Sequence, residues 1–94
     1  MYDENSDIVK QIRAKHYQEY KNIEEACGVP VRYNIEAAFF ARILLMPHKK
    51  MRKLLKTSDE KVAKRFGTPI EQVILRKAEV DSEKYALLYG LKTR

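Results

Sequence analysis

Residues 57–80 read TSDEKVAKRFGTPIEQVILRKAEV, a stretch with two helix starts separated by one glycine. Residues 57–60 and 68–71 each have the spacing of a capping box, in which a hydroxyl and a carboxylate satisfy free amides at a helix N-terminus. Gly67 can adopt the left-handed conformation that a tight turn requires. The stretch therefore predicts a helix-turn-helix-like hairpin near residues 58–80.

Residues 36–47, which precede this hairpin, are apolar on nearly every side of a helix. Such a helix is typical of the centre of a core, so we expect a central helix over residues 35–46, capped by Asn34. A short helix over residues 48–56 follows Pro47, which redirects the chain. The predicted core consists of Phe39, Phe40, Leu44, Leu45, Leu55, Phe66 and Val73.

On the N-terminal side, apolar and aromatic residues recur every three or four positions from Ile8 to Cys27, which is the period of one helix face. Gly28 is placed to end that helix in a left-handed conformation. Residues 29–33 are expected to form a short extended connector. Because Cys27 lies on the apolar face, we expect it to be a buried structural cysteine.

A last short helix is predicted from Ser82 to a stop at Gly90, so residues 1–94 are predicted to form one all-α domain, a compact bundle of five or six short helices. Hydrophobic residues make up 45% and charged residues 34%, which indicates a folded rather than a disordered chain. The N-terminus is acidic and polar, unlike a secretory signal, and a single cysteine fits a reducing compartment. We therefore expect a cytoplasmic protein with no membrane partner.

The formal charge of +6 is concentrated in the second half of the chain. Residues 1–47 contain six Lys or Arg against seven Asp or Glu, whereas residues 48–94 contain thirteen against six. Such a basic region either binds nucleic acid or an acidic protein, or is only a solvated face. Its densest part, called the basic cluster below, is expected to merge into one surface. The basic cluster consists of Lys49, Lys50, Arg52, Lys53, Lys56, Lys61, Lys64 and Arg65.

The second helix of the hairpin offers side chains that could read DNA in the manner of a helix-turn-helix protein. Gln72 can pair with an adenine edge, and Arg76 and Lys77 can contact bases or phosphates. Glu71, in contrast, would repel phosphate. A helical hairpin that only packs against the rest of the fold, without binding DNA, explains the same pattern. The predicted recognition helix contributes Thr68, Gln72, Arg76 and Lys77.

Residues 36–47, EAAFFARILLMP, resemble a signature of the ImmA/IrrE metallopeptidase family, Glu-Ala-Asn-x-Phe-Ala-Ala-x-Leu-Leu-Met-Pro. Residues 62–69, VAKRFGTP, are similar to a segment that follows the signature in that family, so the resemblance covers about residues 33–80. It implies the helical C-terminal part of enzymes that cleave repressors in mobile elements and stress regulation. A phage or mobile-element origin is the corresponding expectation.

The resemblance does not extend to the family's zinc site. Glu36 falls on the position of the third zinc ligand, but the nearest counterpart of the family's His-Glu-x-x-His motif is residues 16–20, His-Tyr-Gln-Glu-Tyr. That segment keeps one histidine and lacks the catalytic glutamate. A catalytic zinc needs three protein ligands and an open position. His16 and Glu36 are therefore degenerate candidates, and we expect no catalytic residue, no bound metal and no cofactor.

The function predicted from the sequence is that of a non-catalytic regulatory or protein-interaction module, related to ImmA/IrrE peptidases but without their active site. Its expected partner is a protein, such as a transcription regulator. The alternative is a small DNA-binding transcription regulator that uses the hairpin, which a steep salt dependence of DNA binding would indicate. A third hypothesis is a peptidase with a degenerate zinc site, which stoichiometric zinc would indicate. The sequence leaves the oligomeric state open.

Overall fold

Five α-helices form the fold in residues 2–88, the part of the chain whose backbone this computed structural model describes, and no strand occurs there. Side chains are described for residues 2–82. The predicted all-α bundle is confirmed, whereas the predicted stop at Gly90 lies outside the described residues. The helices are α1 (Asp7–Cys27), α2 (Val31–Leu45), α3 (His48–Arg52), α4 (Asp59–Phe66) and α5 (Ile70–Leu88).

The connection between α1 and α2 is shorter than expected. Gly28 ends α1 in the left-handed conformation, with a φ of 78°, as predicted. The extended connector over residues 29–33 and the cap at Asn34 are both wrong, because α2 begins directly after Pro30. The Pro30 carbonyl accepts hydrogen bonds from the amides of Tyr33 and Asn34, at 3.1 and 3.4 Å. Proline suits this position because its φ is already close to that of a helix and the N–H it lacks is not needed there.

The hairpin of α4 and α5 has the glycine turn that the sequence predicts. Gly67 is left-handed, with a φ of 63°, and its N–H donates to carbonyls in the last turn of α4. The capping residue of α4 is Ser58 rather than Thr57, since the Ser58 hydroxyl accepts a hydrogen bond from the Lys61 amide at 3.3 Å. A side-chain oxygen at this position replaces one of the amide partners that a helix start lacks.

The central helix is α5 and not α2. Every residue from 73 to 80 is buried, and α5 contacts each of the other four helices. The predicted helix end near Val80 and new start at Ser82 are wrong, because no glycine or proline interrupts residues 70–88 and α5 continues through them.

Most of the predicted core of α2 is solvent-exposed, because α2 packs through one narrow side and has no buried residue. Within the predicted core, Val73 is fully buried, and Leu55 and Phe66 are partly buried against the same cluster. The core residues that the structure places at the surface are Phe39, Phe40, Leu44 and Leu45.

Two apolar clusters flank α5 and form the core instead. One joins α3, α4 and α5 and consists of Met46, Met51, Val62, Ala63, Val73 and Val80. The other joins α1 and α5 and consists of Val9, Ile12, Ile74, Leu75 and Ala78. Neither cluster contains a residue of α2 itself, so α2 is attached to the core by other contacts.

Contacts with α1 and polar contacts with α5 supply that attachment. The Arg42 guanidinium of α2 donates through Nε and Nη2 to Glu79 Oε2, at 3.0 and 2.6 Å, and through Nη1 to Gln72 Oε1 at 3.0 Å. Arg76 Nε donates to the Met46 carbonyl just after α2, at 2.8 Å. Charged groups this deep are tolerated only when they are paired and hydrogen-bonded. These bonds therefore fix which side of α2 faces α5.

A second buried cation attaches the start of α4 to α5. Lys77 Nζ donates to the Thr57 carbonyl at 2.6 Å and to Asp59 Oδ1 at 2.7 Å. The Tyr2 hydroxyl donates to Asp59 Oδ2 at 2.6 Å, and this hydrogen bond raises the pKa of Tyr2 to about 12. The N-terminal segment is thus tied to the same point as both helices of the hairpin.

Candidate functional site

The three most exposed of the large apolar side chains among the described residues lie on one face of α2, called the outer face below. It consists of Tyr33, Ala37, Phe40, Ala41 and Leu44, all exposed and spaced by three or four residues, with one adjacent pair. Tyr33 is 64% exposed, Phe40 is 66% exposed and Leu44 is 78% exposed. On a soluble helix the outward side is normally polar. In α2 the outward side instead carries large apolar residues, with the Arg32–Glu36 ion pair along one edge.

The orientation of α2 is set by Arg42 on the opposite side of the helix. Arg42 is the one charged residue in residues 37–46, and its guanidinium is buried against Glu79 and Gln72. Turning α2 to bury Phe40 would bring Arg42 to the surface and leave the Glu79 carboxylate, 7% exposed, without this partner. An unpaired buried carboxylate is costly. The outer face is therefore held outward by the ion pair.

The apolar area on α2 is large for so small a protein. An aromatic side chain presents about 150–250 Å² in all, so Tyr33 and Phe40 each leave about 100–150 Å² in water at the exposures found. Phe39 and Leu45 flank the outer face and are 39% and 45% exposed, whereas Ile35, 44% exposed, lies on the side that faces α1. Scattered apolar residues on a surface need no explanation, whereas the largest contiguous patch on a protein, typically about 300–600 Å², is often functional.

The basic cluster is on the surface, as the sequence predicts, because all eight of its residues are exposed. Lys49 and Lys50 of α3, together with Lys53 just after it, share one shallow cleft with Leu54 and with Arg65 of α4, so α3 and α4 present one basic surface there. Within residues 2–82, no carboxylate forms an ion pair with any residue of the cluster. These cations are available to an acidic partner or to phosphate.

The predicted recognition helix does not present its cations to solvent. Arg76 is 1% exposed and Lys77 is 3% exposed, because both serve the buried contacts between α5 and the neighbouring segments. Gln72 is half-buried and accepts from Arg42, and Thr68 is half-buried at the turn. The expectation that Arg76 and Lys77 face DNA is therefore corrected: this side of α5 is the interior of the fold.

The two degenerate metal candidates form separate pairs. His16 Nε2 lies 3.2 Å from Glu71 Oε1, and Lys15 Nζ lies 2.8 Å from Glu71 Oε2. Hydrogen bonds from Lys15 and His16 lower the pKa of Glu71. Glu36 accepts from Arg32 Nε at 3.1 Å on the surface. Among the described residues, no group of three or more potential ligands is arranged to hold a metal ion.

Two features escaped the sequence analysis. Arg42 interrupts an apolar run, and a lone charge there is a signal that its own side of the helix faces a buried partner and that the opposite side faces outward. Cys27 was expected to be buried but is exposed, since the last turn of α1 extends beyond the clusters that bury Val9 and Ile12.

Comparison with known proteins adds no assignment: no family model, no curated protein and no solved structure matches this chain. Within the described residues, no helix has both the length and the apolar character needed to cross a membrane. The functional interpretation therefore depends on the surfaces of the chain itself.

Proposed function

We propose that this chain is a non-catalytic, cytoplasmic regulatory module that acts by binding a protein, and that the outer face of α2 is its binding surface. The observation that supports the proposal most directly is the exposure of Tyr33, Phe40 and Leu44 on one side of a helix whose opposite side is fixed by a buried ion pair. Covering such a face removes apolar area from water, which is the main favourable contribution to most protein association.

The composition of the outer face favours another protein over a small ligand. Aromatic residues are enriched at protein interfaces, where they form the main anchors. The face is a convex helix surface, whereas small-molecule sites are concave. Ala37 and Ala41 between the larger side chains leave room for a close-packed partner helix.

The basic cluster is the remaining support for the alternative that the chain binds DNA. Eight exposed Lys and Arg residues can neutralise phosphates without reading sequence. Sequence-specific recognition needs side chains that reach base edges, and Arg76 and Lys77 are occupied inside the fold. For this reason we favour a protein partner.

An experiment in which immobilised variants of the chain capture a partner protein tests the proposal. The parent chain and Phe40→Glu are immobilised and exposed to an extract of the cells that produce the protein. We expect the parent to retain a partner and Phe40→Glu to lose it, because a carboxylate in an apolar interface is desolvated without a counter-charge. Hydrogen exchange on the purified complex should then show added protection in residues 33–44.

Ile70→Glu is the matched control, since Ile70 is 42% exposed on a different helix. Introducing glutamate at the start of α5 is compatible with the helix dipole, so this variant should fold and retain the partner. Equal retention by the parent and Phe40→Glu, or protection confined to other segments, would contradict the proposal.

A further inference from the structure

We propose that the protein covering the outer face of α2 is a second copy of this chain, packed with the two α2 helices antiparallel across a two-fold axis. The inference rests on the proposed function of the outer face and names its partner. It is supported by the spacing of the large and small residues on the outer face, by the charges at the two ends of α2, and by the apolar area available.

The outer face is complementary to itself in the antiparallel orientation. Tyr33 and Leu44 are equally distant from a point between residues 38 and 39, and so are Ala37 and Phe40. A two-fold axis through that point places Tyr33 opposite Leu44 of the second copy, Ala37 opposite Phe40, and Ala41 opposite Glu36, whose carboxylate is paired with Arg32. The pairing of Ala37 with Phe40 occurs twice in the dimer, and each time it sets a large side chain against a small one, as close helix packing requires. A two-fold interface uses the same patch on both copies.

The charges at the two ends of α2 are also complementary in this orientation. Glu25 lies in the last turn of α1, shortly before α2 begins in the sequence, and it is exposed; the exposed Arg32 at the start of α2 is paired with Glu36. Lys49 and Lys50 follow the C-terminal end of α2 and are exposed as well. Antiparallel pairing brings the Glu25 end of one copy toward the Lys49 end of the other, at both ends of the interface. A parallel pair would instead set like charges together.

The apolar area of the outer face sets the expected strength of this dimer. At the exposures found, Tyr33, Phe40 and Leu44 together present about 400 Å² per copy, so two copies would bury about 800 Å² of these side chains, the size of a weak, transient interface. We therefore expect a monomer–dimer equilibrium that depends on concentration.

Sedimentation velocity of the purified chain, from low-micromolar to sub-millimolar concentration, tests the association. The parent and Ile70→Glu should shift from monomer toward twice the monomer mass, and Phe40→Glu should remain monomeric with unchanged helical circular dichroism. Glu25→Lys alone and Lys49→Glu with Lys50→Glu should each weaken dimerisation. Combining the three substitutions in one chain should restore it, since the charges then exchange places.

Disulfide trapping tests the antiparallel register. Cys27 is first replaced by serine, and Tyr33→Cys and Leu44→Cys are made separately in that background. Mixed and oxidised, the two variants should form a heterodimeric disulfide, because positions 33 and 44 face each other. Either variant alone should not crosslink, since two copies of position 33 lie about 16 Å apart along the helices, beyond the reach of a disulfide. Crosslinking of each variant with itself would overturn the antiparallel arrangement.

Three outcomes separate this inference from the proposed function. A chain that is monomeric at every concentration, yet captures another protein in a manner that requires Phe40, would overturn the self-association and leave the interaction module intact. Dimerisation that is unaffected by Phe40→Glu would place the contact elsewhere and overturn the inference. Loss of both self-association and capture in the parent would contradict the proposed function too.

Discussion

Replacing Glu79 by alanine is expected to lower the free energy of unfolding by about 3–5 kcal/mol, the usual cost of removing one partner from a buried ion pair. The Glu79 carboxylate accepts two hydrogen bonds from Arg42 and lies 3.5 Å from Arg76 Nη1. The substitution removes this counter-charge from two buried guanidinium groups. A domain of this length is stable by about 5–14 kcal/mol, so the variant should be close to unfolding at physiological temperature.

Glu36→Ala is the matched control for this measurement. Glu36 pairs with Arg32 four residues earlier on α2, but its side chain is 62% exposed, so solvent screens the pair. The control should lose no more than about 0.5 kcal/mol. Chemical unfolding followed by circular dichroism compares the two variants. Similar losses in both would show that the contact between Arg42 and Glu79 is not buried in solution.

Met51→Ala is expected to cost about 2–5 kcal/mol, as truncations of buried methionine do. Met51 is fully buried where α3, α4 and α5 meet, and it is the one buried residue of the five in α3. Since α3 has little else to hold it, the variant should release α3 along with the lysines it carries. Hydrogen exchange should therefore accelerate first in residues 48–56.

Two controls accompany this variant. Met51→Leu nearly conserves volume and should cost less than about 1.5 kcal/mol. Leu44→Ala removes a comparable apolar side chain from the outer face, where Leu44 is 78% exposed, and should change stability by about 0.5 kcal/mol or less. A loss for Leu44→Ala that equals that of Met51→Ala would contradict the assignment of surface and core.

Local sequence signals predict the helices well because they describe interactions within a few residues. Gly28 and Gly67 end helices in left-handed conformations as expected, since that conformation is a property of the residue itself. The two capping boxes likewise indicate the starts of α4 and α5 to within one or two residues. The start of α2 was missed because the apolar pattern begins later than the helix does, and because a proline two residues after Gly28 fits the end of α1 as well as the start of α2.

The choice of core helix could not be made from apolar content. Residues 36–47 are the most apolar stretch of the chain, yet α5, with Arg76, Lys77 and Glu79 among its residues, is the buried helix. Burial of those three charges depends on Arg42, Asp59 and backbone carbonyls distant in sequence. Helical periodicity does not detect such pairing, because it assigns charged residues to the solvent-facing side of a helix. Because α2 was taken for the core helix, Phe40 and Leu44 of its outer face were predicted to be buried. Because α5 was taken for a surface helix, Arg76 and Lys77 were predicted to contact DNA.

Chemical unfolding of Phe40→Ala, at a concentration low enough to keep the chain monomeric, tests most directly whether the outer face of α2 is a surface and not a core. Phe40 is 66% exposed, and alanine has the higher helix propensity. We expect the free energy of unfolding to change by about 0.5 kcal/mol or less. A loss of about 3–5 kcal/mol, as for a buried phenylalanine, would show that Phe40 lies in the core and would contradict the proposed binding surface.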